Sequence, residues 1–92
     1  MKKYMIKSNH KINGTVTNSI IHAGRYDNPN ECILEIRKRT TNVTDHVMGL
    51  VSNSDYFISI SDDLLSNMRA TIKWKINKDF VHEIVYEICE DT

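Results

Sequence analysis

The alternation of apolar and polar residues from Ala70 to Ile88 folds this chain onto itself as a β-hairpin in a single register. With a loop at Asn77-Lys78-Asp79, Ile76 faces Phe80, Trp74 faces His82, Ile72 faces Ile84 and Ala70 faces Tyr86, which makes one apolar face. The other face then sets Lys73 against Glu83 and Arg69 against Glu87. A slip of one residue destroys both faces together, so the two patterns support one register. A helix competes for the last segment. Phe80, Val81, Ile84, Val85, Ile88 and Cys89 also share a helical face, which Asp79 can cap. The β-branched and aromatic residues and the cross-strand charges favour the strand.

Upstream, Lys2–Lys7 reads as a first strand with Tyr4 and Ile6 on one side, and residues 9–14 as a polar turn. Ser19–Tyr26 and Glu31–Arg39 read as a second hairpin around Asp27-Asn28-Pro29-Asn30, a strong turn cluster. That register pairs Arg25 with Cys32, Ala23 with Leu34 and Ile21 with Ile36, and sets His22 opposite Glu35. Residues 40–45 are a polar connection. Val47–Val51 has helical spacing after Thr44, but Gly49 weakens a helix; a strand pairing with Tyr56–Ile60 is preferred. Ser61 is a natural N-cap for one short helix near 62–68, with Asp62 and Asp63 in its first turn.

These elements predict one sheet-dominated α+β domain over residues 1–92, built of antiparallel hairpins or a meander with one short helix. The alternatives are a small all-β barrel or sandwich, and a helix over 80–89. Ile20 and Ile33, Leu50 and Phe57, and Val81 and Val85 place apolar residues on both strand faces. One short helix cannot cover such a sheet, so the sheet folds back on itself or pairs with a second copy as a homodimer.

Composition narrows the class. The 92 residues are 40% hydrophobic and 26% charged, as in an ordinary globular domain. The start Met1-Lys2-Lys3-Tyr4-Met5-Ile6-Lys7 is too short and interrupted for a signal-peptide core, and no apolar run is long enough to span a membrane. A cytoplasmic setting follows as the expectation, in a bacterial or phage-infected cell. Cys32 and Cys89 lack metal or redox spacing and read as small hydrophobes. Usage heavy in Asn, Lys, Ile and Asp fits an AT-rich bacterium, phage or plasmid. The formal charge is zero, yet residues 1–46 carry eight cations against four acids and residues 47–92 carry four against eight.

The candidate chemistry is sparse. His10, His22, His46 and His82 form no HxH or HExxH motif and no Cys/His cluster, so neither a metal nor a cofactor is expected. There is no glycine-rich phosphate loop and no nucleophile elbow. The chain reads as a non-enzymatic binding protein acting through a protein surface. A phage or mobile-element accessory protein that inhibits a host enzyme or defence complex by steric occlusion fits that size and composition. The alternative is nucleic-acid or nucleotide binding, with Arg25, Arg37, Lys38 and Arg39 on phosphates and Tyr26 stacking on a base.

Overall fold

The computed structural model describes residues 3–50, 57–75 and 79–91, and the C-terminal hairpin stands in the expected register. Arg69–Lys75 pairs antiparallel with Val81–Asp91, with Ala70 opposite Tyr86, Ile72 opposite Ile84, Trp74 opposite His82, Lys73 opposite Glu83 and Arg69 opposite Glu87. The Ile76–Phe80 pair and the loop at Asn77-Lys78 fall outside the described residues. The segment from Val81 is a strand throughout, which removes the helical alternative.

In chain order the elements are β1 (Lys3–Ile12), β2 (Thr15–Ile21), α1 (Pro29–Leu50), β3 (Phe57–Asp63), α2 (Leu64–Asn67), β4 (Arg69–Lys75) and β5 (Val81–Asp91). The strands form one open antiparallel sheet in the order β2-β1-β5-β4-β3, so the α+β, sheet-dominated class holds and neither barrel nor sandwich forms. The molecule is elongated, 49 × 23 × 23 Å.

The first hairpin lies earlier than its sequence suggests. β1 runs on to Ile12, and residues 9–12, expected as turn, are strand. Asn13 and Gly14 alone make the turn, with φ of 52° and 84°. Two successive positive φ values suit a two-residue hairpin loop, because that turn matches the right-handed strand twist. Asn13 also closes the far end of the sheet. Its backbone N–H donates to the Val81 carbonyl, its Oδ1 accepts from the Val81 N–H, and its Nδ2 donates to the Asp79 carbonyl, each at 2.9 Å.

The largest correction is α1. Residues 31–39, expected as a hairpin strand, and 40–50, expected as connection and strand, form one 22-residue helix. The cluster at 27–30 is a helix start. Asn28 Oδ1 accepts from the Glu31 N–H at 3.1 Å, Pro29 takes the first helical position, and Glu31 Oε2 accepts from the Asp27 N–H at 3.0 Å. Thr44 sits inside the helix, where its hydroxyl donates to the Thr40 carbonyl at 2.8 Å. Thr40 and Thr41 likewise donate to the Arg37 carbonyl, so these β-branched residues spend their hydroxyls on the helix's own carbonyls.

With α1 in place, β3 pairs with β4 and residues 47–50 are helix, not the strand expected beside β3; the expected Val51–Tyr56 pair falls outside the described residues. The short helix is present but later: Ser61–Asp63 stay in β3, and α2 spans Leu64–Asn67. Asp62 Oδ1, not Ser61, accepts from the Leu64 N–H at 3.2 Å. Met68 closes α2 in the left-handed region, and its carbonyl accepts from the Ile88 N–H.

The core is the layer between α1 and the centre of the sheet. Cys32, Ile33, Ile36, Thr40 and Val47 come down from the helix onto Ile6, Ala70, Ile72, Trp74, Tyr86 and Ile88. The opposite face is open. There Lys11 and Lys73 flank Glu83 at 3.6 and 3.9 Å, and Arg69 binds Glu87 at 2.8 Å. Met5, Val81, Val85 and Cys89 lie half-buried among those long stems. One long helix thus covers one of the two sheet faces for which the sequence implied a second sheet or a second copy.

Candidate functional site

The basic residues singled out in the sequence do not form one cluster of unengaged cations. On a helix, successive residues turn by about 100°, so Arg37, Lys38 and Arg39 fan out around α1. Arg37 Nε donates to Asp62 Oδ2 at 3.0 Å, fastening the helix to the end of β3. Arg37 and the Leu64 amide hold the Asp62 carboxyl below its usual range. Lys38 is exposed. Arg25 lies in the loop after β2, where its Nη1 donates to the carbonyls of His22, Ala23 and Gly24. Tyr26 bridges Tyr4 through paired backbone hydrogen bonds of 2.9 Å and packs on the core.

Arg39 turns to the β2 side of the helix. Its Nε donates to Glu35 Oε1 at 3.0 Å, and its Nη1 lies 3.2 Å from His22 Nδ1. His22 Nε2 lies 3.0 Å from Ser8 Oγ. Guanidinium nitrogens only donate, so Nδ1 of His22 accepts and its proton sits on Nε2, aimed at the Ser8 oxygen. Burial first, then the Arg39 charge, lowers the His22 pKa, with Glu35 opposing, which keeps this neutral tautomer. The chain Ser8–His22–Arg39–Glu35 is therefore a tie between sheet and helix, and His22 offers Ser8 no base. The neighbourhood of His22 and Glu35 was legible in the sequence, though as a cross-strand pair.

Two surfaces stand out that the sequence did not single out. The first is the outer edge of β2. Its residues Thr15-Val16-Thr17-Asn18-Ser19-Ile20-Ile21 carry no charge and no proline, and all are exposed. Val16 is 51% exposed, Ile20 45% and Ile21 60%. A bulge falls at Thr17, since His10 pairs with Asn18 and Lys11 with Val16. The stretch beyond it is regular. The His22 N–H donates inward to the Ile6 carbonyl, so by alternation Ile20 and Asn18 bond β1 while Ser19 and Ile21 turn their N–H and C=O groups outward. The other edge, β3, ends in two acids, Asp62 and Asp63.

The second is a cleft of about 470 Å³ under the C-terminal half of α1, lined by Val43, Val47, Ile84 and Trp74 and by His10, Asn42, His46 and His82. His82 stacks on Trp74, rings 5.2 Å apart and 8° from parallel, and His82 Nδ1 lies 3.4 Å from His10 Nε2. Burial, then the neighbouring His10, lowers the His82 pKa. His10 and His82 are 72 residues apart in sequence, with His46 midway, so spacing gave no signal. The hairpin register did place His82 beside Trp74 on the apolar face; extending β1 by three residues would have added His10. Among the described residues, no three His, Cys, Asp or Glu side chains are placed to hold a metal ion, and no helix is long and apolar enough to cross a membrane.

The fold and these surfaces define a small α+β domain with an open sheet. No protein-family model, curated protein or solved structure matches the chain.

Proposed function

We propose that this chain is a non-enzymatic binding protein that engages a protein partner along β2 by strand addition. The observation that carries the reading is the uncharged, exposed edge strand, in which the alternation sets the backbone groups of Ser19 and Ile21 away from β1. Soluble proteins blunt such edges with lysine, proline or inward charges, because an open ladder recruits other strands. Strand addition gives affinity through the main chain and specificity through alternate side chains, here Ile20 on the helix side and Ile21 on the other. The partner is a chain with an extended edge of its own. A second copy qualifies, since β2 can pair antiparallel with itself about a two-fold axis. Occupying a partner's edge strand is also how a chain of this size inhibits by steric occlusion.

The test is light scattering on the pure protein, beside the double variant Ser19→Lys/Ile21→Lys. Both positions are exposed and both turn their backbone groups away from β1, so the variant should keep the far-UV spectrum. We expect association in the parent that the variant abolishes. If the parent stays monomeric up to millimolar concentration, self-pairing is excluded. If a partner found in host lysate binds both forms equally, the edge is not the binding surface. Phosphate binding through Arg25, Tyr26 and Arg37–Arg39 is the second reading; it requires Arg37 and Arg39 to exchange Asp62 and Glu35 for the ligand, and it predicts steep weakening with salt.

A further inference from the structure

We propose that the cleft beneath the C-terminal half of α1 is a binding site for a small aromatic carboxylate. Its volume, about 470 Å³, is that of an ordinary small-molecule site. Trp74, Ile84, Val43 and Val47 supply apolar walls for a ring. The polar groups converging on it are three imidazoles and one carboxamide, from His10, His82, His46 and Asn42. Among the described residues, no carboxylate lines it.

That imbalance defines the ligand. His10 Nε2 and His82 Nδ1 face each other at 3.4 Å, so the neutral pair holds a single proton between the two nitrogens. Charging both rings sets like charges together in a partly desolvated site, which is why His10 acts to lower the His82 pKa. Among the described residues, the titratable groups facing the cleft are His10 from β1, His82 from β5 and His46 from α1. Trp74 is the contribution of β4. Lys11, Lys73, Lys75 and Glu83 occupy alternate strand positions, on the opposite face of the sheet. A ligand carboxylate supplies a counter-charge that the described lining residues do not, and its ring takes the apolar walls. Binding is then coupled to proton uptake by the histidines and tightens as pH falls through the imidazole range.

Trp74 is the one tryptophan of the chain, so its indole N–H gives a single, unambiguous NMR cross-peak in the cleft. The probe is 1-naphthoate, titrated into the full-length protein at pH 8 and pH 6, beside the uncharged 1-naphthalenemethanol. We expect a saturable shift of the Trp74 peak, affinity about tenfold tighter at pH 6, and weaker binding of the alcohol. His10→Gln and His82→Gln should each remove the pH dependence. His46→Gln, at an exposed helical position that does not endanger folding, should weaken binding several-fold. The absence of a saturable shift overturns the proposal. So does equal affinity for the alcohol, or a pH dependence that survives all three variants. A Zn²⁺ titration that moves the Trp74 peak when naphthoate does not would make the histidine pair a cation site instead. None of these outcomes depends on the β2 edge.

Discussion

At the scale of single residues, the informative side chains are those that join elements. Asn13 holds a left-handed turn and bonds three backbone groups of the opposite hairpin. Asn13→Ala loses two side-chain hydrogen bonds and the tolerance for positive φ, and should cost about 2 kcal/mol in a urea titration. Asn13→Gly keeps the turn and loses only the bonds, so it should fall between the two. Titration gives a second test. His22 and His82 are both held below the usual imidazole pKa of 6.5, chiefly by burial. Between the folded and unfolded values the unfolded chain binds more protons, so their stabilisation is complete above pH 6.5 and is lost as pH falls through the folded values. The urea midpoint should drop between pH 7.5 and pH 5, and His22→Gln/His82→Gln should flatten that dependence while lowering the midpoint at pH 7.5.

At the scale of elements, α1 decides how the sheet is covered. Its N-terminus is set by Asn28, Pro29 and Glu31, and its buried stripe Cys32, Ile33, Ile36, Thr40, Val43 and Val47 follows helical spacing. Removing the cap with Asn28→Ala should cost about 1 kcal/mol and speed amide exchange in the first turn of the helix. Ile36→Ala, fully buried between helix and sheet, should cost 2–5 kcal/mol, roughly the range for deleting a core isoleucine. The contrast between the two tests whether packing rather than capping holds the helix.

At the scale of the whole molecule, β5 is the keystone. It is the last strand in sequence and the middle one in space, bonded to β1 on one side and β4 on the other. A chain ending at Asp79 keeps both partners of β5 but loses what joins them, and should show no cooperative unfolding transition. Because the first and last strands must meet, folding needs a contact across nearly the full length. The full chain should refold in milliseconds to seconds, slowly for its size, in stopped-flow measurements.

What the sequence determined by itself was the C-terminal hairpin. Two independent periodicities, apolar on one face and opposite charges on the other, agreed in one register, and each strand needed only its neighbour to satisfy it. The sheet-dominated class was legible for the same reason, and the short helix near 62–68 from its local run of polar capping residues, although Asp62 and not Ser61 bonds its first turn. The tertiary structure decided the fate of residues 29–50. Residues 31–39, with Ile33 and Ile36, read as strand, the threonine-rich stretch 40–45 reads as a polar connection, and Asn28-Pro29 suits a turn as well as a helix start. Only the burial of one stripe against Ile6, Ile72 and Ile88 favours the helix over local preference. The same step dispersed the Arg37–Arg39 run around a cylinder and brought His10, His46 and His82 to one cleft. Residues so far apart along the chain share a site only because β1 and β5 pair and α1 lies across them, and no local pattern records that.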